Sequence, residues 1–292
     1  MQRTPGRYID PPTDWSFKHL FGNEPNKEIL IEFLNDLFTG EKIITDLTYS
    51  PNEHNGGKSG IKKAMFDLQC TGDKGEKFVV EMQRGRQDFF RERAVFYTSR
   101  LISEQLPAGE ESFAYNISEV YLVAVLEFPL QEEYPEQYFH NICLMDRETG
   151  EIFYRKLGYK FLVLCNFDKK GEELESDLDK WMYMLKNMSR LDQIPVYLNK
   201  RVFQQIFKIA EIANLTREEQ MSYEASLKDK WDYENVLNTA LREEREKSYK
   251  EGEQQGEQKG MLKIARKMKS KGYPAEVIKE VTDLSAEEIE RL

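Results

Sequence analysis

Two strand-like segments joined by a short polar turn constrain the fold of this chain more than any other feature of its sequence. They are residues 61–71 (IKKAMFDLQCT) and 76–84 (EKFVVEMQR), separated by GDKG. A three-residue loop at 73–75 places Gly75 where a left-handed backbone is favoured, which makes Gly72 and Glu76 the closing pair. The sequence therefore predicts an antiparallel hairpin in which residues whose numbers sum to 148 face each other.

This register brings two carboxylates together. Asp67 lies directly opposite Glu81, with Cβ atoms about 4.5–5.5 Å apart, and Gln83 shares their face because side chains alternate along a strand. The residues that alternate with them point the other way and are expected in the core: Phe66, Leu68, Val80 and Met82. A shift of one residue in the pairing would separate Asp67 from Glu81.

Two carboxylates aimed at one point repel each other unless a cation binds between them, so such pairs often mark Mg²⁺ or Mn²⁺ sites. A bound metal activates a water molecule and stabilises the charge that develops on a phosphate under attack. The alternative is that Asp67 and Glu81 are ordinary acidic residues on an exposed face of the sheet.

The segments around the hairpin alternate between helical and strand patterns. Helices are predicted at 14–21, 23–38 and 85–106, and strands at 42–51, 120–128 and in a hairpin over 139–167. Phe90, Ala94, Tyr97 and Leu101 form the apolar stripe of the third helix. This order predicts an α/β fold, a mixed sheet flanked by helices, followed by a helical region.

The last third of the chain is polar and highly charged, with Gly252, Gly256 and Gly260 spaced four residues apart. The glycines could lie on one helix face that admits a partner helix, or in a weakly helical linker, since glycine disfavours helix. Short helices follow, with Ser285 as an N-cap, and resemble a helix-turn-helix unit or a partner-binding hairpin. We expect a core at 1–170, a helical region at 171–250 and a C-terminal unit at 251–292.

A net charge of -10 argues against a protein that coats nucleic acid by bulk electrostatics, but it allows a local basic cleft. The candidates for such a cleft are Lys58, Lys62, Lys63, Arg84, Arg86, Arg91, Arg93 and Arg100. The alternative is a solvated face of mixed charge.

The chain has neither a long apolar run nor a signal-peptide pattern near residue 1, so we expect a cytoplasmic protein without a membrane partner. Cys70, Cys143 and Cys165 lack metal-ligand spacing and are expected to be reduced, buried thiols. The three histidines share no ligand spacing either, so we expect no histidine metal site.

Four short motifs occur in a fixed order along the first hundred residues. They are DWSFKHLFG from Asp14, NKEILIEFLN from Asn26, Asp67 followed by VVEMQR, and RERAVFYTSRL from Arg91. In this order they resemble the PD-(D/E)XK nucleases and, more narrowly, the PD-(D/E)XK nuclease family transposases, related to the recombination-promoting nucleases of bacteria. The resemblance extends to about residue 130 and returns in the glycine repeat and SAEEIERL, while 131–240 match only in general character.

The resemblance implies a restriction-endonuclease-like core with a helical C-terminal extension, and it assigns roles to single residues. Asp67 and Glu81 would bind the metal together with the backbone carbonyl of Met82. Gln83 stands where the wider superfamily has lysine, and an amide cannot act as a base. Asp14 would be a further acidic site residue or else a helix N-cap. Lys18, Arg86 and Arg93 would contact phosphate, or Arg93 would pair with an acidic neighbour.

The function implied is Mg²⁺- or Mn²⁺-dependent cleavage of DNA by phosphodiester hydrolysis, with a link to recombination or mobile elements. One metal site per chain suggests a homodimer for cutting both strands. The alternative is a catalytically idle nuclease fold that binds DNA or a protein through its C-terminal helices. A purely structural helical adaptor would explain the C-terminal third but leaves the hairpin without a role. Metal binding by Asp67 and Glu81 separates the nuclease from the idle fold.

Overall fold

A computed structural model of the chain describes residues 6–50, 53–54, 64–86, 88–106, 115–131 and 133–292. By its internal contacts the chain divides into two compact units, residues 1–228 and 229–292. The helices are α1 (Asp14–Phe21), α2 (Lys27–Leu37), α3 (Phe90–Glu104), α4 (Asp177–Asn187), α5 (Arg201–Ala210), α6 (Arg217–Ser270), α7 (Ala275–Thr282) and α8 (Ala286–Glu290). Short 3₁₀ turns occur at Glu24–Asn26, Leu164–Asn166, Gly171–Glu173, Met188–Arg190 and Ile212–Asn214.

The first unit is organised around a six-stranded mixed sheet. The strands are β1 (Leu47–Tyr49), β4 (Leu68–Gly72), β5 (Lys77–Gln83), β6 (Val120–Leu126), β7 (Phe139–Met145) and β8 (Ile152–Val163), in the spatial order β1-β4-β5-β6-β8-β7. The pairs β5–β6 and β6–β8 are parallel and the remaining neighbours are antiparallel. A separate pair joins β2 (Glu53–His54) to β3 (Ala64–Met65).

Helix α3 covers one face of the sheet. Its apolar stripe, Phe90, Ala94, Tyr97 and Leu101, is buried as predicted. It packs on the side chains that the central strands direct to this face, such as Val79 of β5 and Leu122 of β6. Because side chains alternate along a strand, the intervening residues point to the opposite face.

Aromatic side chains from the N-terminal helices and α4 fill the opposite face. Phe33 of α2 meets Trp181 of α4 with ring centroids 5.1 Å apart, and Phe38 packs edge-on against Phe78 of β5 at 5.8 Å. The Trp181 indole N–H donates to Asp36 Oδ2 at 2.7 Å, so this buried ring has its donor satisfied. The predicted α/β fold, a mixed sheet flanked by helices with a helical C-terminal region, is confirmed.

Some local predictions differ from the structure. The strand predicted at 42–51 is formed only over Leu47–Tyr49, and Glu53–His54, predicted as loop, pairs with Ala64–Met65. Cys70 is buried as predicted, but Cys143 is only half-buried and Cys165 is exposed, so the predicted burial of these two is wrong. Three members of the predicted basic cleft lie outside the described residues: Lys58, Lys62 and Lys63.

The second unit contains α6 from Asp229 onward, with α7 and α8. Ala265, Ile278, Leu284 and Ile289 form its small apolar core, and Ser285 caps α8 by accepting from the Glu288 N–H at 3.3 Å, as predicted. Helix α6 is continuous through Gly252, Gly256 and Gly260, which face open space. Among the described residues, no helix is long and apolar enough to cross a membrane.

Candidate metal centre

The β4–β5 hairpin has the predicted register. Leu68 pairs with Val80 and Cys70 with Phe78, so facing residue numbers sum to 148. Gly75 adopts a φ of +86°, and the Gly72 N–H donates to the Glu76 carbonyl at 2.8 Å, which closes the loop. The three-residue loop and its left-handed glycine therefore fix the pairing, as expected.

The pairing between β4 and β5 stops at Leu68 and Val80, so Asp67 lies just outside the ladder. Asp67 lies in a bend ahead of β4, and its Oδ2 accepts a hydrogen bond from the Met82 N–H at 2.8 Å. The carboxylate thus occupies the place at which the next main-chain bond of the ladder would form. Because the strand has already ended, Phe66 leaves the alternation and packs edge-on against Tyr97 of α3 at 4.8 Å. The prediction that Phe66 points away from the site face is therefore wrong.

The backbone of Met82 faces the Asp67 side of β5. The Gln83 carbonyl accepts from the Glu127 N–H at 3.0 Å, so the main-chain groups of Gln83 point toward β6. Main-chain groups alternate along a strand, and those of Met82 therefore point the opposite way, as its bond to Asp67 shows. The Met82 carbonyl, the predicted third ligand, opens on the same side as the Asp67 carboxylate.

Glu81 lies on the α3 face of β5 and is only 3% exposed. Its Oε2 accepts from Gln83 Nε2 at 3.3 Å and is 3.8 Å from Arg93 Nη2. Burial, followed by the negative charge of Asp67, raises the pKa of Glu81 to about 8, although Arg93 and Gln83 favour the charged form. A buried carboxylate that retains its proton to this extent is poorly compensated by the protein alone.

Asp67 is held between α1 and β5. Its Oδ1 lies 3.8 Å from Lys18 Nζ, and Lys18 Nζ lies 2.8 Å from Asp14 Oδ1. Burial raises the pKa of Asp67, while the Met82 N–H and the Lys18 charge act in the opposite direction. Thr13, rather than Asp14, caps α1 by accepting from the Ser16 N–H at 3.2 Å, so the N-cap interpretation of Asp14 is wrong.

The oxygen donors of this site fit a hard divalent cation. Asp67 and Glu81 supply carboxylates whose mutual repulsion a cation would relieve, and Mg²⁺ and Mn²⁺ bind through oxygen. Across the described residues no group of three or more His, Cys, Asp or Glu is placed to hold a metal. A metal here would therefore rely on two carboxylates, the Met82 carbonyl and water, which is the usual pattern for Mg²⁺, an ion that keeps several water ligands.

The structure brings most of the predicted site residues together in two groups. Asp14, Lys18 and Asp67 form one bonded group, and Gln83, Glu81 and Arg93 form a second. The two groups interact through the repulsion between the Asp67 and Glu81 charges. Arg86 is exposed in the segment between β5 and α3. Arg91 and Arg100 of the predicted cleft are engaged elsewhere, with the Leu130 carbonyl and with Glu104.

Two residues of the site were predicted from the sequence only in other roles, Arg84 as a member of the basic cleft and Tyr97 as part of the apolar stripe of α3. The Arg84 Nη1 atom is buried and has no hydrogen-bond acceptor among the described residues. Burial, followed by the nearby charge of Glu81, raises the pKa of Tyr97, and Arg93 lies over the Tyr97 ring at 5.7 Å. Position next to Gln83 was the available signal for Arg84, and helical spacing from Arg93 was the signal for Tyr97.

The sequence model of a family described as PD-(D/E)XK nuclease family transposase matches residues 11–240, which include the whole hairpin and the helices around it. No curated protein and no solved structure matches the chain.

Proposed function

Because the chain belongs to the PD-(D/E)XK nuclease family transposases, we propose that it is a metal-dependent DNA endonuclease that hydrolyses phosphodiester bonds. The observation that carries the proposal is the buried Glu81 carboxylate, whose pKa Asp67 helps to raise to about 8. The proposal includes DNA as the partner, a link to recombination or mobile elements, and a cytoplasmic location. Strand transfer is a separate activity, and hydrolysis alone is proposed.

Asp67, Glu81 and the Met82 carbonyl would hold Mg²⁺ or Mn²⁺. When bound, the ion supplies a water of lowered pKa and neutralises charge on the phosphate. The Met82 N–H, already bonded to Asp67 Oδ2, keeps that carboxylate from rotating. The Gln83 amide holds Glu81 and orients water or a phosphate oxygen, but it cannot take a proton.

Positive groups approach the carboxylate pair from two helices. Lys18 reaches Asp67 from α1, and Arg93 reaches Glu81 from α3. We assign Lys18, Arg86 and Arg93 to phosphate contacts and add Arg84. A buried guanidinium nitrogen without an acceptor is costly, and a phosphate oxygen would satisfy it. Asp14 fixes Lys18 through their ion pair and is a further acidic member of the site.

Cleavage of supercoiled and linear DNA in Mg²⁺, Mn²⁺ or a chelator tests the proposal. We expect nicking or linearisation by the wild-type chain with either metal, and at least a hundredfold loss in Asp67→Asn and in Glu81→Gln. Glu92→Gln is a matched control, because Glu92 is an exposed carboxylate on the same helix as Arg93. A folded wild-type chain that cleaves neither DNA with either metal would contradict the proposal.

A further inference from the structure

Strand β7 forms one border of the six-stranded sheet and lacks the usual protection of an edge strand. Its seven residues, FHNICLM at Phe139–Met145, include neither a charge nor a proline. Edge strands in natural proteins usually carry lysine, proline or a bulge that prevents pairing with another chain. The bulges near Leu144 lie in the pairing with β8 and leave the outer side of β7 open to pairing.

The free main-chain groups of β7 can be identified from its pairing. The Val163 N–H donates to the Tyr138 carbonyl at 2.8 Å, so the main chains of Tyr138, His140 and Ile142 face β8. By alternation, Phe139, Asn141 and Cys143 face outward. The Gln137 side chain already donates to the Phe139 carbonyl at 3.3 Å. Asn141 and Cys143 therefore keep outward donors and acceptors that no described residue uses.

These two residues flank Ile142 symmetrically. An antiparallel copy of β7 related by a two-fold axis at Ile142 places Asn141 opposite Cys143 of the other chain, and Cys143 opposite Asn141. All the outward groups of both residues are then hydrogen-bonded, and Ile142 faces Ile142. A second copy thus meets the requirement of a two-fold interface, in which one surface is its own complement.

The side chains and charges of this edge also fit a second copy. Ile142, Leu144 and Met145 are 40%, 45% and 53% exposed, and Phe153 of the same hairpin is 81% exposed. In the two-fold register Ile142 faces Ile142, Met145 faces Phe139, and Leu144 faces His140. The chain has a net charge of -10, which generally opposes self-association, but β7 contributes no acidic side chain to this contact. Glu41, whose Oε1 accepts from Asn141 Nδ2 at 3.0 Å, is paired with Lys160 at 2.7 Å.

We propose that two copies of this chain pair antiparallel along β7 and join their sheets about a two-fold axis at Ile142. The contact is about 24 Å long for seven residues at the usual rise of a strand, so it is small. We expect a reversible dimer in the micromolar range rather than a permanent one. The inference depends on the edge strand alone and holds whether or not the chain cleaves DNA.

Sedimentation velocity of the full chain measures the fraction of dimer at concentrations from about 1 to 100 μM. This range brackets a micromolar dissociation constant. Ile142→Lys adds an edge charge and Asn141→Pro removes an outward N–H, and each is expected to weaken the dimer at least tenfold. Val196→Lys, at a residue 89% exposed and far from β7 in sequence, and Asn141→Ser, which keeps the N–H, are the matched controls. Circular dichroism shows that each variant is folded.

A cysteine pair tests the register independently. Opposed residues at a non-hydrogen-bonded position have Cα atoms about 4.5 Å apart, within disulfide range. Mild oxidation is expected to cross-link Ile142→Cys as a dimer on a non-reducing gel, and to leave wild type and Val196→Cys uncross-linked. A wild type that stays monomeric at about 100 μM, or a dimer that survives both Ile142→Lys and Asn141→Pro, overturns the proposal. Equal cross-linking of Val196→Cys and Ile142→Cys overturns the register.

Discussion

Replacing Glu81 by glutamine is expected to make the metal-free protein more stable at alkaline pH while removing metal binding. The folded-state pKa of Glu81, about 8, lies above its ordinary value of 4.5. A carboxyl group with a raised folded-state pKa favours folding below the unfolded-state pKa, and this contribution is lost as pH rises through the folded-state pKa. The stability of the wild-type protein should therefore fall between pH 4.5 and about 8, and that of Glu81→Gln should not show this component.

The size of the effect follows from the shift. At about 1.36 kcal/mol per pKa unit, the rise from 4.5 to about 8 corresponds to roughly 5 kcal/mol as an upper limit. This pKa already includes the favourable charge of Arg93, 3.8 Å away, and relaxation of the protein around a charged carboxylate lowers the penalty further. We expect a net difference of about 2–3 kcal/mol at pH 8.5, or roughly 4–10 °C in melting temperature for a chain of this size.

Thermal melts of both proteins in a chelator, at pH 5 and pH 8.5, measure this difference. We expect only a small difference in melting temperature at pH 5, where little of the effect has developed, and a clearly higher value for Glu81→Gln at pH 8.5. Added Mg²⁺ should then raise the wild-type value at pH 8.5 and leave the variant unchanged, since a ligand stabilises only the state that binds it. Glu92→Gln, at an exposed carboxylate, should follow wild type throughout. If wild type and Glu81→Gln keep the same difference at both pH values, the account of Glu81 is refuted.

Three further outcomes are expected. Asp67→Asn should bring the pKa of Glu81 closer to its ordinary value, because the Asp67 charge is the second cause of the rise, and ¹³C NMR of the Glu81 carboxyl measures it; an unchanged pKa would contradict this. Arg84→Gln should weaken DNA binding and reduce its salt dependence by about one counterion, measured by fluorescence anisotropy, and should not lower the melting temperature. The control Arg100→Gln should change the salt dependence little. Ile278→Ala should destabilise the C-terminal unit by about 2–4 kcal/mol, seen as faster amide exchange within residues 262–292, while Val277→Ala, at a partly exposed residue, should have a small effect.

The parts of the fold that follow from local rules were predictable from the sequence. The hairpin register follows from loop length and Gly75, and the buried stripe of α3 follows from helical spacing. The conformation of Phe66 was not predictable in this way, because it depends on where the ladder stops. A choice between neighbouring caps, Thr13 and Asp14, also depends on the tertiary position of the helix end. The burial of Arg84 Nη1 could not be predicted from the sequence pattern, because it depends on tertiary packing.

The point at which the β4–β5 ladder ends determines the arrangement of the candidate site. If pairing continued beyond Leu68, a main-chain carbonyl would accept from the Met82 N–H, and the Met82 carbonyl would be hydrogen-bonded within the sheet. Because the chain bends at Asp67, the Asp67 carboxylate takes the N–H instead, and the Met82 carbonyl remains on the side of the two carboxylates. The same bend brings the Phe66 ring edge-on against Tyr97. A single departure from strand geometry therefore accounts for the arrangement of the proposed ligands and for the one error in the predicted facing of the hairpin.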